Sequence, residues 1–198
     1  MKQTTEEKVL ACIGADAWRM EVLREVRELG LSDGWVCAGF VRACVWDVRH
    51  GHAERTPLDD VDVVYYDPER TDPAEEKKWE ARLSERRPDV PWSVKNQARM
   101  HERNGDEPYH SAQDGIARFP ELPTSVAVRL QGERLELLAP WGVEELWELI
   151  VRPIPPIRDR ADKLAVYRSR IAQKNWKARW PRLTILENDE AGTTDARS

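Results

Sequence analysis

Two aspartates, Asp60 and Asp62, stand one residue apart where a polar loop meets an apolar stretch. The stretch, residues 61–66, is rich in β-branched and aromatic residues, which predicts a strand. Side chains alternate along a strand, so both carboxylates point to one face, about 7 Å apart. They repel each other unless a proton or a cation lies between them, and Mg²⁺ prefers such oxygen ligands. The pair therefore predicts a magnesium site; a solvated strand start that caps the loop is the alternative.

A third acid, Glu136, lies between two leucines in a stretch that reads as the second strand of a β-hairpin, residues 125–130 and 134–138. Because its neighbours in the strand are apolar, we expect the carboxylate of Glu136 to point into a cleft. Asp60, Asp62 and Glu136 would then be the catalytic, metal-binding set. They would hold two Mg²⁺ ions, about 3.5–4 Å apart, that activate an attacking oxygen and stabilise a leaving pyrophosphate. An outward-facing hairpin residue is the alternative for Glu136.

Gly39 separates a short buried strand, residues 35–38, from a helix predicted over residues 39–50. Backbone amides can approach a phosphate closely at a glycine, and the helix N-terminus adds a favourable dipole. Arg42 lies near the helix start, where it could reach a phosphate. With the carboxylate pair, these residues predict a nucleoside triphosphate (NTP) site. Tight packing of strand on helix is the alternative for Gly39, and a surface position is the alternative for Arg42.

Residues 92–101 combine many hydrogen-bond donors with apolar anchors. Lys95 or Arg99 could neutralise a triphosphate, and Asn96 could bind a base or a sugar. The three residues are therefore predicted to bind the nucleotide. A polar loop that satisfies buried backbone groups is an equally good explanation for each of them.

The periodicity predicts helices over residues 5–29, 39–50, 74–84, 112–119, 143–151 and 160–174, interleaved with the strands named above. This alternation indicates an α+β fold. We expect residues 1–186 to form a single domain, with a catalytic core at about 30–150 and a C-terminal helical extension at about 153–182. Residues 187–198 read as a disordered tail.

Composition excludes several classes of protein. The chain has 198 residues and a net charge of −5, and no apolar run is long enough to span a membrane. Three cysteines without C-x-x-C spacing argue against a disulfide framework or a zinc site and for the cytoplasm. There is no P-loop and no G-x-S-x-G motif.

The charge is distributed unevenly. Residues 59–80 hold nine acids and three bases, whereas residues 158–182 hold nine bases and two acids. The basic segment also carries Trp176 and Trp180, and such a mixture is compatible with RNA contacts. A solvated helix face, or pairing with the acidic segment, is favoured over RNA binding.

Ala38-Gly39-Phe40-Val41-Arg42, then Gly51, then Asp60-Val61-Asp62 resembles the head motif of CCA-adding enzymes and bacterial poly(A) polymerases. Stretches such as AGFVR, DDVDVVYYD, VKNQARMH and APWG resemble a bacterial family of nucleotidyltransferase-like proteins within the DNA polymerase β-type superfamily, over about residues 30–182. The resemblance implies a mixed β-sheet flanked by helices and Mg²⁺-dependent transfer of a nucleoside monophosphate. Two positions depart from the pattern: Phe40 follows the motif glycine, and Ala43 replaces an aspartate.

The sequence therefore favours an enzyme in which an acceptor hydroxyl attacks the α-phosphorus of an NTP, ATP included, and expels pyrophosphate. A small acceptor is expected, because the chain is too short for a nucleotidyltransferase head plus a long tRNA-binding body. The alternative is a catalytically inactive nucleotide- or RNA-binding module that retains the fold. The enzyme requires three convergent carboxylates, and the module requires none.

Overall fold

A computed structural model describes residues 2–158 and 160–186 of the chain. The predicted tail, residues 187–198, lies outside the described residues. The helices are α1 (Thr5–Ala15), α2 (Ala17–Glu28), α3 (Gly39–His50), α4 (Pro73–Arg86), α5 (Gln97–Asn104), α6 (Ala112–Ile116), α7 (Glu144–Trp147), α8 (Pro155–Arg158), α9 (Ala161–Lys174) and α10 (Trp176–Arg179). The strands are β1 (Trp35–Cys37), β2 (Val61–Tyr65), β3 (Trp92–Asn96), β4 (Ala127–Gln131), β5 (Arg134–Leu138), β6 (Ile150–Val151) and β7 (Thr184–Ile185).

Within the described part of the chain, five strands form one mixed sheet in the order β3-β2-β1-β4-β5. The pair β2–β3 is parallel, and the other neighbours are antiparallel. In the register across the three central strands, Cys37 of β1 pairs with Asp62 of β2 and with Ala127 of β4. Helices flank this sheet, so the prediction of an α+β fold with a mixed sheet is confirmed.

The two faces of the sheet are covered differently. Val36, Val63 and Val128 point to the face where α1, α2 and α3 pack and where the main hydrophobic core forms. Their strand neighbours, such as Cys37 and Val64, point to the other face, where a smaller cluster forms around α6. Side chains alternate along β2, so Asp62 shares the face of Val64 and opens on the less covered side of the sheet.

Carboxylates of α4 complete the outer edge of β3. Glu80 Oε1 accepts a hydrogen bond from the Val94 N–H at 3.0 Å, and Glu76 Oε1 accepts one from the Asn96 N–H at 2.8 Å. Unpaired strand edges invite association with other strands. Here Glu76 and Glu80 of α4 accept hydrogen bonds from two N–H groups of β3, so these groups are not free to pair with another strand.

The sequence mispredicted one region and left another unassigned. The helix expected over residues 143–151 ends at Trp147, because Leu149 has a positive φ of 62° and residues Ile150–Val151 then pair in parallel with β7. Residues 85–110, which show no clean period, contain β3 and α5. No helix of the described residues combines the length and hydropathy that a bilayer span requires.

The turn between β1 and α3 is held in an unfavourable backbone conformation. Ala38 has φ 54° and ψ −116°, a region that costs a residue with a Cβ about 1–2 kcal/mol. Its N–H donates to Val126 O at 2.9 Å, and its carbonyl accepts from Arg42 N at 3.0 Å. Hydrogen bonds at both its N–H and its carbonyl therefore hold Ala38 in this conformation.

We expect Ala38→Gly to raise the free energy of unfolding by about 0.5–1 kcal/mol, because glycine adopts a positive φ without a steric penalty. Urea denaturation provides the measurement. Ala43→Gly, in the interior of α3, is the matched control and should lower stability by about 1 kcal/mol. Equal losses in both variants would show that Ala38 is not strained.

Candidate active site

Asp60 and Asp62 flank the start of β2, and Asp62 lines a cavity of about 470 Å³. Asp60 is exposed, and Asp62 is half-buried. Burial and then the charge of Asp60 raise the pKa of Asp62 to about 6, against the opposing effects of Ser93, Arg42 and Lys174. The two carboxylates are therefore near enough to repel each other, and the cations around them only partly offset this repulsion. This is the donor set that a hard divalent ion takes up.

The order of the strands in the sheet places Glu136 far from this aspartate pair. Glu136 shares the sheet face of Asp62, but β4 and β1 lie between β5 and β2, a separation of roughly 14 Å at about 4.8 Å per strand. Its Oε2 accepts a hydrogen bond from Arg129 Nε at 2.8 Å. The prediction that Glu136 is the third carboxylate is therefore corrected: it cannot reach an ion held by Asp62, and it neutralises Arg129.

Gly39 begins α3 directly after Ala38, which lines the cavity. Among the described residues, the N–H groups of Gly39 and Phe40 have no hydrogen-bond acceptor. The side chain of Phe40 is fully buried in the main core, with its ring centroid 6.1 Å from that of Trp18. The side chain of the bulky residue after the motif glycine is therefore buried in the core and does not occupy the cavity.

Arg42 is buried behind the cavity and does not line it. Its guanidinium stacks 4.3 Å from the ring centroid of Trp176, and Nη1 donates to Thr124 Oγ1 at 2.6 Å. Burial lowers its pKa to about 10, and its Nε has no hydrogen-bond partner. Thr124 does line the cavity. Arg42 is therefore not the surface residue that the alternative describes, and it supports the cavity wall through Thr124.

Of the three residues at positions 95–99 that are predicted to contact the nucleotide, one lines the cavity. Lys95 lines the cavity, where its Nζ donates to Glu80 Oε1 at 3.1 Å and to Val94 O at 2.8 Å. The Asn96 side chain caps α5 and donates to the carbonyls of Asp67 and Arg70.

Arg99 donates two hydrogen bonds to Glu76, from Nε to Oε1 at 2.7 Å and from Nη2 to Oε2 at 2.6 Å. The nucleotide-binding predictions for Asn96 and Arg99 are therefore corrected, because neither residue lines the cavity and their polar groups bond to the protein itself.

The structure adds Arg170 and Lys163 of α9, which the sequence did not single out. Both line the cavity. Arg170 Nε donates to Glu121 Oε1 at 2.7 Å, and Glu121 is completely buried. Burial lowers the pKa of Arg170, but the carboxylates of Glu121, Asp62 and Asp60 outweigh it and the net shift is upward. A fixed cation thus stands next to the aspartate pair.

The charged walls of the cavity are mainly cationic. Five of its lining residues are basic and two are acidic: Lys95, Arg103, Arg118, Lys163 and Arg170 against Asp62 and Asp106. In residues 2–158 and 160–186, no group of three histidine, cysteine or acidic side chains converges to hold a metal ion. Mg²⁺ commonly uses one or two carboxylates and completes its shell with water and substrate phosphates. The pair and its cationic surroundings fit that mode.

Comparisons with solved structures identify proteins of similar fold. A structure described as "The NMR structure of the protein reveals a CCA-adding enzyme head domain" is 32% identical, with a TM-score of 0.79, over 92% of this chain and 96% of that one. A CCA-adding enzyme with CTP shares the fold at 12% identity and a TM-score of 0.57, over 94% of this chain. An apo CCA-adding enzyme does so at 16% identity and a TM-score of 0.55, over 90% of this chain. The chain spans less than half the length of these two enzymes, 44% and 42%.

No curated protein matches this chain. A family model described as Nucleotidyltransferase matches residues 24–185, which is most of the sequence and includes β1, α3, both aspartates and α9. The extent of this match, together with the 32% identical head domain, establishes that the chain belongs to the nucleotidyltransferase family.

Proposed function

We propose that this protein transfers a nucleoside monophosphate from an NTP to a hydroxyl group of an acceptor, with Mg²⁺ as the cofactor. One observation carries the proposal: an aspartate pair adjoins a cavity whose other charged walls are mainly cationic. A triphosphate needs cations along its length, and a divalent ion needs hard oxygen ligands at one end. The cavity volume of about 470 Å³ is in the range of small-molecule sites.

The residues divide this work between them. Asp60 and Asp62 would hold Mg²⁺, which supplies charge neutralisation at the phosphates. Arg170, Lys163 and Lys95 bind the phosphate oxygens, and Glu121 fixes the orientation of Arg170. The acceptor hydroxyl then attacks the α-phosphorus in line. The new bond joins the acceptor oxygen to phosphorus, the α–β bridging bond breaks, pyrophosphate leaves, and the hydroxyl proton passes to solvent. Catalysis by positioning and charge neutralisation requires no covalent nucleophile.

Incubation with Mg²⁺, each α-labelled NTP and fractionated small-molecule and RNA extracts tests the proposal. CTP is the first nucleotide to try, because a protein of the same fold was solved with CTP. We expect labelled product in the small-molecule fraction, pyrophosphate release in equal amount, and loss of both with EDTA. Label in the RNA fraction would contradict a small acceptor. Absence of label from every fraction would contradict transfer.

A second candidate is a nucleotide-binding module without turnover. It is favoured by the absence, among the described residues, of a three-carboxylate cluster. Calorimetry with a non-hydrolysable NTP and Mg²⁺ separates the two. Tight nucleotide binding with no transfer in any fraction would support the module, whereas binding accompanied by transfer supports the enzyme.

Arg170 provides the test of the cationic wall. We expect Arg170→Lys to raise the KM for NTP about 5–10-fold, because lysine keeps the charge beside Glu121 but loses the planar fork that bridges Glu121 and a phosphate. Steady-state kinetics at saturating Mg²⁺ measures it. Lys177→Ala, on the exposed side of α10, is the control and should leave KM within twofold. An unchanged KM in the Arg170 variant would remove this residue from the phosphate site.

A further inference from the structure

A second cavity, of about 400 Å³, lies at the far end of β2 from Asp60. It is bounded by the turn after α2, by the residues that follow β2, and by the first turns of α4; its walls include Ser32, Tyr65, Asp67, Glu75 and Trp79. Tyr65 and Asp62 are three positions apart on one strand and therefore point to opposite faces. The second cavity is consequently separate from the cavity that Asp62 lines.

The chemical character of this cavity is acidic and aromatic. Asp67, Glu69 and Glu75 line it, against one base, Arg70. Glu75 also contacts Lys78, on the outer side of α4. The rings of Tyr65 and Trp79 and the side chain of Leu31 supply apolar and π surface. Carboxylates next to aromatic faces are the surroundings that an organic cation prefers.

An independent observation points to a missing ligand. Tyr65 is 2% exposed, and its hydroxyl has no hydrogen-bond partner within the described part of the chain. Buried hydroxyl groups almost always have a partner, because an unsatisfied one costs free energy. Burial and the nearby carboxylates of Glu76, Asp67 and Glu75 raise its pKa to about 12, so the hydroxyl keeps its proton and lies near the acids of the cavity.

We infer that this cavity binds a primary alkylammonium group. The carboxylates neutralise its charge, the two aromatic rings contact its charged head and alkyl stem, and the Tyr65 hydroxyl lies beside it. The same chemistry can come from a free polyamine or from a lysine side chain of another protein.

Calorimetry with the full chain at 150 mM NaCl tests the inference in two arms, spermidine and a short lysine-containing peptide with blocked ends. We expect one saturable site in at least one arm, and the arm that binds identifies the source. Tyr65→Phe should weaken that binding about fivefold without lowering the unfolding midpoint, because it removes only an unsatisfied hydroxyl. Glu75→Gln should weaken it at least fivefold.

Glu85→Gln is the matched control, because Glu85 lies exposed on the same helix outside the cavity and carries the same charge. It should change the affinity by less than twofold. Equal weakening in the Glu75 and Glu85 variants would show general attraction to an acidic surface and overturn the inference, as would absence of binding in both arms. Asp62→Asn should leave ammonium binding intact, so failure of the nucleotidyltransferase proposal and failure of this one are distinguishable.

Discussion

Replacing Asp62 with asparagine is expected to lower nucleotidyl transfer at least about 100-fold, because it removes a charged oxygen ligand beside the phosphates. The same change should stabilise the metal-free protein. Burial and Asp60 raise the pKa of Asp62 to about 6, so its ionisation costs more in the folded than in the unfolded state. Above pH 6 that cost, about 1–3 kcal/mol, is present in full; it disappears as the pH falls through 6 towards 4.

Urea denaturation in EDTA at pH 7.5 and pH 4, together with the transfer assay, measures both effects. Asp59→Asn is the matched control: Asp59 is exposed and lies 3.8 Å from Arg179, so transfer should stay within about threefold. If the Asp62→Asn protein transfers label as well as the parent does, Asp62 is not part of the active site. If it loses transfer because it is less stable than the parent, the prediction that ionised Asp62 destabilises the fold is wrong.

The sequence predicted those parts of the site that local pattern determines. The alternation along β2 predicts the shared face of Asp60 and Asp62, and the change of period after β1 predicts the start of α3; the positive φ of the turn lies at Ala38 and not at the glycine. Phe40 shows the limit of local reasoning. It departs from the motif, but the direction of its side chain depends on the rotation of α3, which buries it in the main core.

Long-range placement decides the other residues. Glu136 was misassigned because the order of strands in a sheet cannot be derived from the sequence of one strand. Arg99 was misassigned because its partner, Glu76, lies on another helix. Arg170 was overlooked among nine bases of residues 158–182, because only the docking of α9 shows which of them face the cavity.

Asp47, at the C-terminal end of α3, links the fold to the position of the loop that leads to Asp60. It is 6% exposed and accepts hydrogen bonds from Thr56 N at 2.9 Å, Thr56 Oγ1 at 2.6 Å and Trp180 Nε1 at 2.8 Å; His52 Nδ1 lies 3.1 Å away. Thr56 lies in the loop that leads to Asp60. One carboxylate therefore ties α3, this loop and the segment after α10 together.

We expect Asp47→Ala to lower the free energy of unfolding by about 3–5 kcal/mol, because it leaves several buried donors without an acceptor. Asp47→Asn, which keeps one oxygen acceptor, should lose about half as much. At temperatures where both variants remain folded, loss of the loop anchor should also raise the Mg²⁺ concentration needed for half-maximal transfer, about fivefold. Glu54→Ala, an exposed change in the same loop, is the control and should shift stability by less than about 0.5 kcal/mol. If Asp47→Ala unfolds at the parent's urea midpoint, the loop is held by other contacts. If it unfolds earlier but keeps the parent's Mg²⁺ requirement, Asp47 stabilises the fold without positioning Asp60.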